Sequence, residues 1–479
     1  MRMRSQSPAR RGSVIVIVIW SIAIAAIVVG AAQVLAFRQA SMGRESLARV
    51  EARWAARAGL EETIAVLEYH TEEPDPNNAR QLYKDLEMVA DGQVSSGDWQ
   101  IRHVEDGVEI KGPQDEHAKM NLNNISRATL LEIDGMSMDV ADAIVDWRDP
   151  DDNPGMMGAE YDFYVNRRAG YEPRNGSFRS ISELELVAGA FPKLVRGEDQ
   201  NLNGRLDPGE NDGASSEPPD DADGFLDAGW SAALTARSAG SLIGVSGEDR
   251  MNLRKATPEE LQTRFGVTAE QATALASFAK GQNASLSMLL TQDLSTLAAG
   301  GGTQRGTTGQ PTGAKTAGPS NTGGQRQTGR QSGRSSAGAG SQPGSGARIQ
   351  ALDRQQLRRI FQEATLEDGS RPIVGKVNLN TAPPSVLRAL LPDDPISADA
   401  IISLRSASST GLLAISDLAE SNRISPQSLA AIADYADTQS NVFTVTSRGR
   451  SASTGLEVEI TAVVDRSTLP ARILEYREQ

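Results

Sequence analysis

The 479-residue chain carries 62 Asp and Glu against 48 Lys and Arg, a formal net charge of −14, with 39% hydrophobic and 4% aromatic residues. No cysteine and only three histidines (His70, His103, His117) exclude a disulfide framework, a thiolate nucleophile and a Cys- or His-rich metal site. The acidic balance weighs against general nucleic-acid binding, which needs cations clustered on phosphates, and the length allows about three domain-sized units.

Arg2, Arg4, Arg10 and Arg11 precede Gly12, and from Ser13 to Phe37 no side chain ionises. As a helix this stretch is about 37 Å long, enough to cross a bilayer with some tilt. The four leading arginines favour a cytoplasmic N-terminus, with everything after Arg38 outside. A simple signal-anchor would satisfy these features, and a signal peptide cut near Ala31–Ala32 competes, although the apolar run is long for one. A prepilin-type leader cut between Gly12 and Ser13 explains more, because the apolar run begins directly at that glycine. Leu47, Val50, Trp54 and Ala58 continue a helical period, and no proline interrupts it before Pro74. One helix is therefore expected over about 13–70, with 13–37 in the membrane and 38–70 packed on a soluble body.

Residues 98–111 read as a hairpin of alternating residues around Asp106-Gly107. Beyond them the chain repeats itself. The segments opening KMNLN at Lys119, RMNLR at Arg250 and KVNLN at Lys376 align without gaps, placing Asn121, Asn252 and Asn378 in register. Leu130, Leu261 and Leu387 share one offset; Ala141, Ala272 and Ala398 share another; Trp147, Phe278 and Leu404 share a third. Each copy reads as an Asn-capped start, a short helix, a tight turn and a second helix with one apolar face. This two-helix unit resembles the helix-hairpin-helix (SAM-like) module, many of whose members bind DNA through a glycine-rich hairpin. The turns here, such as Pro392-Asp393-Asp394-Pro395, are acidic and lack paired glycines, so a packing scaffold is expected and nucleic acid is not.

Within 119–295 lie two acidic loops. In 199–210 the side chains of Asp199, Asn201, Asn203, Asp207 and Glu210, with the Arg205 carbonyl and Gly204 at the sharp turn, fill every position of a twelve-residue EF-hand calcium loop. In 219–230, Asp221, Asp223 and Asp227 fall on ligand positions but Pro219 and Trp230 occupy the ends, a weaker pattern. From 298 to 348 the chain turns to Gly, Ser, Thr and Gln and reads as a flexible linker, before a third helix-hairpin unit at 349–437. Residues 441–479 give two long alternating runs and a short third, which suggests one small sheet with the helical block inserted between its two halves.

Taken in order, the Gly12/Ser13 junction, RWAARAGLEETIAVL after the membrane segment, KMNLN, AIVDWRDPDD at 143–152, GAEYDFY at 158–164, Tyr171…Asn175 and SELELVAG at 182–189 resemble the K-type minor pseudopilin of the type II secretion system (general secretion pathway protein K). The resemblance implies an α+β fold: a pilin-like long N-terminal helix packed on a small antiparallel sheet, with a large inserted α-helical domain. It implies cleavage after Gly12 by prepilin peptidase, methylation of the new N-terminus, and a single pass of the inner membrane with a periplasmic body. It also implies partnership with other minor pseudopilins at the pseudopilus tip, contact with secreted protein substrates, no catalytic role, and bound Ca²⁺. Most pseudopilins carry Glu at mature position five; here that residue is Ile17, as in K-type members. The acidic turn of Asp149, Asp151 and Asp152 with Glu160 is a second place for the metal. A membrane-anchored helix-hairpin-helix DNA receptor is the competing reading, and an exported hydrolase lacks a recognisable nucleophile–base pair.

Overall fold

A computed structural model describes residues 12–166, 170–215, 220–300, 349–369 and 373–479. The leader up to Arg11, most of the 298–348 linker and Pro219 lie outside the described residues. Helix α1 runs unbroken from Gly12 to Glu72, about 90 Å at 1.5 Å per residue. From Val14 to Phe37 its large apolar side chains stand exposed. In its second half Ala48, Ala52, Ala56, Leu60, Thr63 and Leu67 are wholly buried, a stripe at helical spacing whose small members allow close packing. Helix α2 (Gln81–Met88) turns the chain back into β1 (Asp91–Val94), β2 (Gly97–Glu105), β3 (Val108–Lys111) and the short β4 (Gln114–Asp115). Asp106 and Gly107, both at positive φ, make the tight turn between β2 and β3.

The insert follows β4 and repeats one plan. Its first unit opens on β5 (Met120–Asn121), runs through α3 (Arg127–Leu130), α4 (Met138–Arg148), α5 (Tyr161–Asn166) and α6 (Pro192–Arg196), and closes on β6 (Leu234–Thr235). The second opens on β7 (Met251–Asn252), contains α7 (Pro258–Phe265), α8 (Ala269–Ala279), α9 (Met288–Thr291), α10 (Leu294–Gly300) and α11 (Arg354–Glu363), and closes on β8 (Ala364–Thr365). The third opens on β9 (Val377–Asn378), contains α12 (Pro384–Leu390), α13 (Pro395–Ala407) and α14 (Pro426–Tyr435), and closes on β10 (Ala436–Asp437). In all three the opening and closing strands pair in parallel.

The repeated asparagines do not cap helices, contrary to the sequence reading. Ser126 and Thr257 cap α3 and α7, while Pro383 stands at the N-cap of α12 without a side-chain bond. Instead each Asn δ-oxygen accepts the backbone N–H two residues on, at 2.8–2.9 Å. Each Asn δ-amide then crosses to the closing segment, reaching the Ser238 carbonyl, the Glu367 carbonyl and the Ser440 hydroxyl. The residue thus ties a turn and a strand pair together, work that needs both an acceptor and a donor on one short side chain. Arg148 and Arg405, at matching places in units one and three, hold the same loop from behind through the Leu122 and Ile125 carbonyls and the Leu379 and Ala382 carbonyls.

The division of the insert also differs from the sequence boundaries. Residues 349–366, assigned above to the third unit, complete the second: Ile360 and Ala364 are buried with Leu261, Phe265 and Leu275 in one cluster. Units one and three share another, in which Leu130, Ile144 and Trp147 meet Leu387, Ile401 and Leu418. The aliphatic repeat positions build these cores whatever the chain distance between them, so sequence proximity misplaced the boundary.

The chain ends on β11 (Val442–Ser451), β12 (Glu457–Asp465) and β13 (Arg472–Glu478). They complete an antiparallel sheet in the order β1-β2-β11-β12-β13, with β3 beside β2 and β4 beside β11. Helix α1 lies across β2, β11 and β12. At Gly449 the two elements nearly touch: a Cβ there would stand 2.0 Å from the Ala52 carbonyl oxygen and 2.3 Å from the Ala56 nitrogen. Ser451 bonds Glu51, Gly449 abuts Ala52, Ser447 lies by Gly59, and Phe443 joins Leu67 in the core, so β11 begins beside the C-terminal half of α1. The insert leaves at β4 and returns at β11, hence it sits at the end of α1 farthest from the apolar segment; Gly247 of the insert lies against the Glu72 carbonyl.

Candidate metal centres

Phe443, Val445, Ser447 and Gly449 of β11 face α1, and Thr444, Thr446 and Arg448 face the insert. On that second face lies loop 199–210. Thr446 donates to the Asn203 carbonyl at 3.0 Å, Val104 N–H to the Gly204 carbonyl at 2.6 Å, and Arg477 to the Asn201 carbonyl at 2.8 Å. The loop folds on its own polar groups. Asp199 carboxylate oxygens accept from the Asn203 and Gly204 N–H groups, and Gly204 takes the left-handed conformation (φ 69°) that its position demands. Asn201 and Asn203 both donate to Asp207, and both Glu210 oxygens accept backbone N–H groups, from Gln200 and Asp207.

The six expected ligand positions lie in one turn, with Asp199, Asn203, Arg205 and Glu210 each under a tenth exposed, but the carboxylates of Asp199, Asp207 and Glu210 are not brought within 4.8 Å of one another. The charges are answered in part by the protein. Arg448 reaches Asp207 at 2.9 Å and Glu459 at 3.0 Å, while Arg205 turns its own side chain toward Glu109. Burial, followed by the Asp199 and Asp207 charges, pushes the Glu210 carboxyl up to about 7. Asp199 is raised as well, chiefly by burial.

The second loop is different. Asp221, Asp223 and Asp227 each accept the backbone N–H two residues further on, an Asx-turn use of the carboxylate. Trp230, at its twelfth position, is buried and donates to the Asp134 carbonyl. These three aspartates do not converge.

Among the described residues, one group brings three carboxylates within 4.8 Å of one another: Asp146, Asp149 and Glu160. Asp146 lies on α4, Asp149 is its C-cap, and Glu160 directly precedes α5. Asp146 is held by the Gly155 N–H, 3.0 Å from both oxygens, and Gly158 packs so close that a Cβ would stand 1.9 Å from Asp146 Oδ2. Glu160 is 4% exposed, and neither of its oxygens has a hydrogen-bond partner. Burial first, then Asp146 and Asp149, push its carboxyl up to about 7. Of the residues expected here, the structure brings Asp149 and Glu160 together but not Asp151 or Asp152. Asp151 accepts from Asn153, and Asp152 from Asn175 at 2.8 Å. Asp146 was missed. Its local signal is the i, i+3 spacing to Asp149 at the end of α4, and nothing in the spacing shows that Glu160 returns to meet the pair. An all-oxygen, carboxylate-rich set with orphaned acceptors suits a hard divalent cation, and Ca²⁺ tolerates such irregular geometry better than Mg²⁺.

An N-terminal helix long and apolar enough to cross a membrane passes into a small antiparallel sheet, with a helical insert at its far end, which is a pilin-like arrangement. Residues 111–197 match the family model described as type II secretion system (T2SS), protein K. Through that segment the chain is similar to the protein K family of the type II secretion system. The segment contains the Asp146–Asp149–Glu160 cluster and ends just short of the 199–210 loop. A solved structure, described as the GspK-GspI-GspJ complex from the enterotoxigenic Escherichia coli type 2 secretion system, matches at 10% identity and a TM-score of 0.45, covering 91% of this chain and 99% of that one. No curated protein matches the sequence. The DNA-receptor reading gains no support from the family match.

Proposed function

We propose that the chain is a minor pseudopilin of type II secretion that caps the tip of the pseudopilus, with α1 through the inner membrane, a cytoplasmic leader removed after Gly12, and a periplasmic body. The carrying observation is the place of the insert. A body this large on the membrane-distal end of α1 and the sheet obstructs addition of a further subunit above, while the lower part of α1 is free to pack among others. Leu47, Val50 and Trp54, all about half exposed or more, continue the apolar stripe below the sheet and suit other minor pseudopilins as neighbours. Ile17 agrees with the same position, since a carboxylate in lipid needs a partner and a capping subunit would have none ahead of it. The four arginines before Gly12 support the orientation. The role is structural: the protein positions partners, and secreted substrates meet its exposed insert.

Calcium belongs to this reading as reinforcement of the insert. Asp146, Asp149 and Glu160 would hold one ion inside the first unit. The 199–210 loop would hold another against the sheet, with the Arg448 contact to Asp207 exchanged for metal. Affinity capture of the full chain from detergent-solubilised membranes of its natural host tests the assembly. The expected result is co-purification of other prepilin-like proteins with a mature N-terminus at Ser13; an intact Met1 and no such partner would overturn the proposal.

A further inference from the structure

Arg466 follows β12, in the turn toward β13, and is anchored there by its backbone N–H on the Asn441 carbonyl at 2.8 Å. Its Nε and Nη1 are buried and have no hydrogen-bond partner, and no ion pair includes it among the described residues. A guanidinium without a direct acceptor is costly to bury, and the charge of Asp115, which makes no ion pair with it, offsets that cost only in part. The side chain lines a cavity of about 90 Å³, walled by the loop after α1, the start of α2, residues 241–245 and residues 438–441.

The neighbouring charged groups are otherwise engaged. Asp115, the carboxylate behind the wall, accepts from Ser440, Thr381, Tyr83 and the His117 N–H. His70 is paired with Asp85 at 2.7 Å, and the exposed Asp75 accepts the Asn77 N–H. Burial pulls the Arg466 guanidinium down to about 10, against the opposing pull of Tyr83 and Asp115. The hydroxyls of Ser241, Thr438 and Ser440 already donate to protein acceptors, which leaves too few donors for a phosphate. Leu82, Ile243, Val245 and Leu413 make the rest of the wall apolar.

From this we infer that the cavity is a carboxylate-binding site, in which Arg466 takes the charged head of a short aliphatic carboxylate and the apolar wall takes its stem. The ligand is either a free short-chain acid or the carboxylate of a polypeptide, its C-terminus or an acidic side chain. The site sits where α1, the sheet and the insert meet, so occupancy would bind the three together.

The test uses the full chain in detergent and a chloride buffer at constant ionic strength, with propionate, propionamide, phosphate and N-acetyl-glycyl-alanine as probes in calorimetry and thermal melts. Propionate or the peptide should bind with Kd on the order of 1 mM. At 20 mM propionate the folded state should then gain about 20-fold over the unfolded one. The uncharged propionamide should do nothing. Tighter binding of the peptide than of propionate would assign the ligand to a polypeptide, and the reverse to a free acid. Arg466→Gln should abolish the effect and Arg466→Lys should weaken it. If Arg466→Gln does not fold, the contrast between propionate and propionamide on the unaltered chain decides alone. Equal response to the acid and the amide, or stronger binding of phosphate, would overturn the site.

Discussion

Glu160 is the residue on which the metal argument turns, because it is buried, charged when titrated, and unanswered by any donor. The folded state holds its proton more tightly than the unfolded chain does, so without calcium stability should fall as pH rises from about 4.5 through 7. Glu160→Gln should remove that decline in melts of calcium-free protein. At pH 8 the same variant should be more stable than the unaltered chain without calcium and should gain less from adding it; Glu210→Gln should retain the gain attributable to the first site. His103 has the opposite sign. Burial holds its imidazole down at about 4, while Nδ1 donates to the Gly112 carbonyl at 2.9 Å. Its contribution is therefore present above about 6.5 and lost as pH falls through 4. With only three histidines in the chain, imidazole proton resonances should show one that titrates near 4. At this scale the sequence told which residues are polar and how they are spaced, not which are buried together. The nearness of Asp199 to Glu210 was legible because the twelve-residue spacing is local, whereas the partnership of Arg448 with Asp207 crosses the whole insert. Asp146 meets Glu160 across fourteen positions of irregular chain, which no periodic spacing encodes.

Among the elements, the tightest constraint is the crossing of α1 over β11. Gly449→Val would drive side-chain atoms into the Ala52 and Ala56 backbone, and should cost about 1–3 kcal/mol or more in denaturant unfolding, with Gly449→Ala close behind. The two cores of the insert make a further prediction. Leu130→Ala, Leu261→Ala and Leu387→Ala should each cost about 2–5 kcal/mol, since all three side chains are wholly buried. Leu130 and Leu387 share a cluster, so the double variant should depart from additivity by about 0.5–3 kcal/mol; Leu130 with Leu261 should add. The long helix, the β2–β3 hairpin and the paired helices were readable from period and turn chemistry. The two-residue strands were not, because a pair of residues has no period. Their partners lie up to 330 positions away, as between Gln114 and Thr444.

The whole molecule joins a membrane helix to a bulky head through one sheet whose two halves come from opposite ends of the chain. That arrangement was legible from strands flanking a helical block, while the placement of the head at the far end of α1 required the register of β11 against α1. On the proposed function, that placement makes the head an end-stop. The most direct test is to delete the gene in its natural host and assay culture supernatants for secreted proteins, with complementation by the intact chain and by a chain lacking the insert. The account predicts that deletion leaves exported proteins trapped in the periplasm, that the intact chain restores release, and that the headless chain does not. Unimpaired secretion in the deletion strain, or full restoration by the headless chain, would contradict it.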